Sequence, residues 1–463
     1  MGAASHLRPR LSDAFDLAIP QESAAFALPY LREDRPFCLD PFLLWKSDNP
    51  EWQQLHEGIL RFAECIRELS VDGRLVAAST LLSGIRERPE LGLGYASGTR
   101  QGSAIGLELA RRIVETFRSV PQVAESGINH IEVLALLVPG VAEDRIGDLT
   151  AGLIGEWLVE FTKAQCREHH IPMRRALLDS IWDQERALWR PIRTELPWNP
   201  LDEQPVLLAP LELLRHLPWI NYDNYYKTTY QPLVLPAERR TRRAAKQAVL
   251  DYNRQHYRVV ESYLRRREQE ASLAGPDPLF KPLSGQTMHR KYRELHALPT
   301  GRTDGADKKF ERLSADLLTS LLYPKLDLAK EQSRTVSGAH IMDLVFHNDS
   351  SMPFLADLRD RHASRQLVWE LKNVKNLETE HVNQLYRYLD DEEVGRVGVL
   401  MGRNPPPQAV LRNTVELHSA KRYFILCFDD RDLELMLSVQ SSGRHPAEVL
   451  RKKYVEFTRL LPK

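Results

Sequence analysis

Cysteine is scarce: four in 463 residues (Cys38, Cys65, Cys166, Cys427), none in a C-x-x-C pair. That excludes a zinc ribbon, a thioredoxin-type redox site and a disulfide-stapled miniprotein. Four scattered thiols suit buried apolar positions in a reducing cytosol. Neither sign of charge is in excess: 63 Lys+Arg stand against 63 Asp+Glu. There is no global basic field, so a nucleic-acid partner would have to be held by a local patch. Long apolar runs are missing as well. The longest, near Ile131–Val141, is far short of the ~20 residues that span a bilayer. The opening stretch MGAASHLRPRLSDAF lacks a signal peptide's apolar core, and His6 stands where a myristoylation pattern needs Ser or Thr. No internal repeat and no low-complexity block is visible. A soluble, cytoplasmic globular protein is expected. Its 43% hydrophobic and 27% charged residues match that class, and its length suits about three domains at roughly 150 residues each.

Residues 1–190 read as a mainly helical N-terminal domain. Trp52–Leu69, Ala104–Phe117 and Thr150–Cys166 carry apolar residues at helical spacing, whereas Leu134–Val138 is too short to assign between strand and helix. Residues 191–304 read as a connector. Prolines from Pro191 to Pro236 break long helices, while Trp198, Trp219, Tyr222, Tyr225 and Tyr226 offer surface to bury. A basic helix is expected over 238–270. A looser Pro/Gly stretch from Gly275 to Gly305 marks a boundary. From 305 to 463 the expected order is helix, strand, strand, helix, strand, strand, then two closing helices (Asp430–Leu437 and Ala447–Leu461). This is an α/β domain with a mixed sheet flanked by helices.

The chemistry-bearing signal lies on two of these strands, Ile341–Phe346 and Leu367–Asn373. Side chains alternate along a strand, so Glu370 and Lys372 project from one face and Leu371 from the other. Asp343 interrupts an otherwise apolar run. Charges in such strands are costly to bury unless they pair or bind a metal. Two carboxylates on neighbouring strands can hold a hard divalent cation that also takes phosphate oxygens. That cation can lower the pKa of a water and stabilise charge in phosphoryl transfer. A lysine two residues away can orient the nucleophile or offset developing charge. The bland alternative is a surface ion pair between Glu370 and Lys372 on an edge strand.

This arrangement resembles the PD-(D/E)xK, or restriction-endonuclease-like, nuclease superfamily over about residues 305–440. Asp343 matches the family's first acid and Glu370-Leu371-Lys372 its (D/E)xK element. Met342 stands where many members have proline. Glu311 is similar to the extra acid on the preceding helix, and Gln384 to the glutamine on the following one. The resemblance implies that Asp343, Glu370 and the Leu371 carbonyl bind Mg²⁺ (or Mn²⁺), that Lys372 positions the attacking water, and that Glu311 and Gln384 assist. Residues between His347 and Gln366 form a long excursion between the strands, expected to be a disordered tip rather than a substrate contact.

Elsewhere, Arg239, Arg240, Arg242, Arg243, Lys246, Arg254 and Arg258 form a basic cluster interleaved with Tyr252, Tyr257 and Tyr263. Such a cluster can neutralise phosphates and stack on bases, or be the solvated face of a helix. Gly94, Gly98, Gly102 and Gly106 precede a helix without a P-loop signature, and read as a flexible or packed loop more than as a phosphate cradle. His130, Glu132, Glu143, Asp144, Arg145 and Asp148 are either a second polar site or a helix cap starting at Asp148 or Thr150. The resulting expectation is a Mg-dependent DNA endonuclease of restriction or anti-phage defence, acting as a homodimer or with a partner protein. The alternatives are a repair or mobile-element nuclease, and a non-cleaving nucleic-acid-binding scaffold.

Overall fold

The computed structural model describes residues 10–15, 17, 19, 24–32, 34, 35, 37–93, 105–235, 244–275, 282–334, 341–389 and 395–462. Contacts group the chain into two units, Ala25–Pro278 and Leu279–Lys463, the latter with the described part of Met1–Ala24. The division falls at 278/279, inside the Gly275–Gly305 stretch where a boundary is expected, and none falls at 190. The aromatic connector and basic segment are built into the first unit. Tyr225 Oη donates to Asn253 Oδ1 at 2.5 Å, and Asn253 Nδ2 to the Leu136 carbonyl at 2.7 Å. These bonds tie the stretches before and after Pro236 to the apolar run at Leu134–Leu137, which is a short helix.

The first unit is mainly helical, with Pro50–Val71, Leu107–Ser119, Glu143–Leu153 and Gly155–Glu168 as major helices. Two expectations are corrected here. An antiparallel hairpin, Arg174–Asp183 with Leu188–Leu196, falls at the end of the expected helical stretch and across its 190 boundary. Exposed Leu177 and Leu188 and a register shift between Leu178 and Ile181 break the alternation that would have marked it. The expected helix over 238–270 is two, Lys246–Gln255 and Tyr257–Gln269, broken at His256.

In the second unit, the elements are α1 (Gly285–His296), α2 (Ala306–Leu322), β1 (Leu326–Arg334), β2 (Ile341–Asn348), α3 (Pro353–His362), β3 (Gln366–Leu371), α4 (Thr379–Leu389), β4 (Val397–Met401), α5 (Gln408–Lys421), β5 (Phe424–Phe428), α6 (Asp430–Ser441) and α7 (Ala447–Leu460). The sheet order is β5-β4-β3-β2-β1, parallel across β5-β4-β3 and antiparallel across β3-β2-β1. The mixed sheet flanked by helices is thus present, with β1, α3 and α5 added to the expected order. The excursion after His347 is no disordered tip: α3 occupies it, and Asn348 Nδ2 closes its ends by donating to the carbonyls of Leu355 (2.8 Å) and Ser364 (3.0 Å).

Alternation splits the core in two. Leu344, Phe346, Leu367, Trp369 and Leu371 face Phe310, Leu317, Leu318 and Leu321 of α2. Val345, Val368, Leu400 and Ile425 face Val382, Leu385 and Leu389 of α4. Burial on both faces explains why β4 and β5 are continuous apolar runs. The described residues before Ala25 join this unit through Arg10, which pairs with Asp327, and through Arg365 Nη1, which donates to the Asp13 carbonyl at 2.5 Å. Among the described residues, no helix is long and apolar enough to cross a membrane.

Candidate active site

The β2–β3 register pairs Leu344 with Trp369 and Val345 with Val368, which sets Asp343 opposite Glu370. Directly opposed residues of antiparallel strands share a face. Asp343 and Glu370 therefore lie on the α4 side of the sheet, near the C-terminal end of β3, the strand that pairs antiparallel with β2 on one edge and parallel with β4 on the other. The Leu371 N–H donates to Asp343 Oδ2 at 2.7 Å. Lys372 Nζ donates to Glu370 Oε1 at 2.5 Å, and its own N–H anchors on the Met401 carbonyl at 2.8 Å.

Glu370 is 1% exposed on a central strand, so the surface-pair reading of Glu370 and Lys372 does not hold. Its Oε2 is buried and has no hydrogen-bond partner among the described residues. Burial, followed by the charge of Asp343, pushes its carboxyl up to about 8 despite the adjacent ammonium. Burial also raises Asp343, against the Leu371 N–H and Lys372. Glu311, half-buried on α2, is raised by burial and then by Asp343, with Lys372 opposing. Asp343, Glu370, Lys372 and Glu311 are thus close enough to act electrostatically on one another.

Gln384 comes to the same place through a residue the sequence reading missed. Its Nε2 donates to Tyr388 Oη at 2.8 Å. Tyr388 is 1% exposed. Burial and then the charges of Glu370 and Asp343 push its hydroxyl up to about 12. Its sequence signal is the four-residue step from Gln384, one helical turn, but a lone tyrosine in an apolar stripe reads as core.

A second missed feature fixes the strand end. Asn373 Nδ2 donates to the carbonyls of Pro299 (3.0 Å) and Gly301 (2.8 Å), and its Oδ1 accepts from Arg403 Nη1 at 2.9 Å. Buried Arg403 also pairs with Asp430 at 2.9 Å and donates to the carbonyls of Leu295, His296 and Leu298. The residue after Lys372 is thereby tied to the segment leading into α2, which carries Glu311.

Among the described residues, no group of three or more His, Cys, Asp or Glu side chains is arranged to hold a metal ion. Magnesium needs fewer: it is held by one or two carboxylates and keeps several waters. The hard oxygens of Asp343 and Glu370, one of them an orphaned buried acceptor, fit that ion.

The other candidates are dispersed. Arg239, Arg240, Arg242 and Arg243 lie outside the described residues, as do Gly94, Gly98 and Gly102. Lys246 is exposed, with its amine 4.8 Å from the centre of the Tyr222 ring. Arg258 is exposed. Arg254 donates to the Leu137 carbonyl at 2.7 Å and pairs with Asp251. Tyr257 and Tyr263 are buried and pack internally, whereas half-buried Tyr252 stacks on exposed His256, with ring centres 4.2 Å apart. Asp148 and Thr150 start no helix; they lie inside the one that begins at Glu143. His130 and Glu132 are fully buried. His130 Nε2 is 2.9 Å from Glu268. Burial, and then Asp40, holds Glu132 well above the carboxylate range.

Residues 16–221 match a family described only as a domain of unknown function, DUF8370. The match covers less than half of the chain and ends before the segment that carries Asp343 and Glu370. No curated protein and no solved structure matches the chain.

Proposed function

We propose that the second unit is a metal-dependent nuclease of the PD-(D/E)xK type that hydrolyses phosphodiester bonds in DNA. The observation that carries this is the convergence of Asp343 and Glu370 on one face, with Lys372 on Glu370 and a buried Glu370 oxygen left for a cation. The succession α2, β1, β2, α3, β3, α4, β4 supports it, containing the helix–strand–strand–helix–strand order that the resemblance implies, with one strand and one helix more. Asp343, Glu370 and the Leu371 carbonyl would hold Mg²⁺ or Mn²⁺, which supplies charge stabilisation at the phosphate when bound. Lys372 leaves Glu370 for the incoming water or a phosphate oxygen. Tyr388, which feels the charges of Glu370 and Asp343, and its partner Gln384 would line the site from α4. The first unit, with Lys246 and Arg258 exposed, would contribute recognition. A place in restriction or anti-phage defence, or in repair, is inferred by analogy only.

The test is incubation of the full chain with plasmid, single-stranded DNA and RNA, with Mg²⁺, Mn²⁺ or EDTA. Cleavage of DNA that EDTA and Lys372→Ala both abolish is expected. Salt-sensitive binding without cleavage of any substrate would replace this reading with that of a scaffold.

A further inference from the structure

Helix α4 carries a polar stripe longer than the Gln384–Tyr388 pair. His381, Gln384 and Tyr388 follow one another at three- and four-residue steps and so share one face of the helix. Val382, Leu385 and Leu389, beside them, fill the core under the sheet. The Tyr388 end of the stripe feels the charges of Glu370 and Asp343. The His381 end feels that of Lys372.

The tautomer of His381 follows from its own hydrogen bond. Its Nδ1 accepts from the Glu378 N–H at 3.0 Å, which leaves the ring proton on Nε2. Burial first, then the Lys372 ammonium, lowers its pKa against Glu378 and Glu380, in keeping with an Nδ1 that accepts and so carries no proton. The Nε2–H has no partner among the described residues. A neutral donor suits this position: it can bind an anionic oxygen without setting a second positive charge beside acids that must take a cation.

We propose that His381 is a further substrate-contacting residue, whose Nε2–H donates a hydrogen bond to a phosphate oxygen of the nucleic-acid backbone held next to Lys372. This rests on the nuclease reading of the site. The three observations that carry it are the shared helix face, the fixed tautomer and the unpartnered buried Glu370 oxygen beside the same lysine.

Two substitutions separate contact from helix capping. His381→Asn keeps an acceptor near the Nδ1 position and removes the Nε2 donor. His381→Gln places a donor near the Nε2 position and removes the capping acceptor. Cleavage by the full chain is measured with Mg²⁺ on the best DNA substrate, beside wild type and Lys372→Ala, with thermal unfolding of each. The expected order of kcat/KM is wild type, Gln, Asn, with Asn down by about tenfold or more, as befits loss of a hydrogen bond to a charged group. The expected order of stability is the reverse for the two variants, Gln below Asn. Asn as active as wild type overturns the proposal, as does Gln less active than Asn, which makes His381 a helix cap. Equal loss in both variants overturns the assignment to Nε2. Wild type inactive on every substrate removes the nuclease reading itself, and this contact with it. A wild type that cleaves while only the His381 proposal fails leaves that reading standing.

Discussion

Glu370 shows how much the setting of one residue decides. In water its carboxyl would ionise near 4.5; in β3 it keeps its proton to about 8. A group whose folded pKa is raised contributes stability that is complete below the unfolded value and disappears as pH rises through the folded one. The metal-free protein should therefore lose stability between about pH 5 and 8 through this residue. Glu370→Gln, which cannot ionise, should flatten that part of the curve; denaturant unfolding with EDTA across the range checks it. Lys372→Ala should act in the same window. At pH 6 the remaining acid stays protonated and the midpoint should move little. At pH 9, where ionisation leaves a buried charge without its partner, the loss should be larger, up to about 3–5 kcal/mol. Equal losses at both pH values would show that Glu370 is ionised throughout. Asp343, Glu370 and Lys372 were legible beforehand because charge inside an apolar strand is costly and needs a reason. Tyr388 and His381 were not, because an aromatic or a histidine at helical spacing is satisfied equally well by packing or by a cap.

At the scale of elements, close approach sets tolerance. A Cβ on Gly398 of β4 would lie 3.1 Å from both Leu385 Cδ1 and Leu389 Cδ1 of α4, so helix and strand meet without a spacer. Gly395, just before β4, has φ +94°, and a Cβ there would lie 2.5 Å from the Ala363 carbonyl oxygen. Gly395→Ala should cost at least about 1–3 kcal/mol, backbone strain plus a collision, read as a lower denaturant midpoint. Leu385→Ala, in the core beneath the site, should cost about 2–5 kcal/mol. It should also lower DNA cleavage more than its stability loss explains, since α4 carries Gln384 and Tyr388. The strands with apolar runs were readable in advance. Strand β1 was not: Lys330 and Glu331 interrupt its pattern, and its pairing with β2 supplies what propensity does not.

For the molecule as a whole, even charge and scarce thiols carry the clearest consequences. All four cysteines are free, three of them buried and Cys65 half-buried. In denaturant four thiols should react with a disulfide reagent. In the native protein Cys65 alone should be reached, and slowly, because burial and then Glu68 raise its pKa. A reductant should leave the unfolding temperature unchanged; a shift would reveal a disulfide. The segment from Pro191 to Pro236 looked like a connector by composition, yet its tyrosines are core residues of the first unit, because buried aromatic area outweighs the broken helices.

Composition, spacing and alternation determined by themselves that this chain has separate helical and mixed-sheet parts, that none of its cysteines sits in a C-x-x-C pair, and which two acids and one lysine deserved to meet. Those are local properties: periodicity assigns a face, and a charge among apolar neighbours calls for a partner. Only the tertiary structure decided that Asp343 stands across from Glu370, that Asn373 and Arg403 fasten the strand end, and that the tyrosines from Tyr222 to Tyr230 are interior. Register, packing partners and burial depend on residues far apart in sequence, and no local pattern encodes which of them arrive.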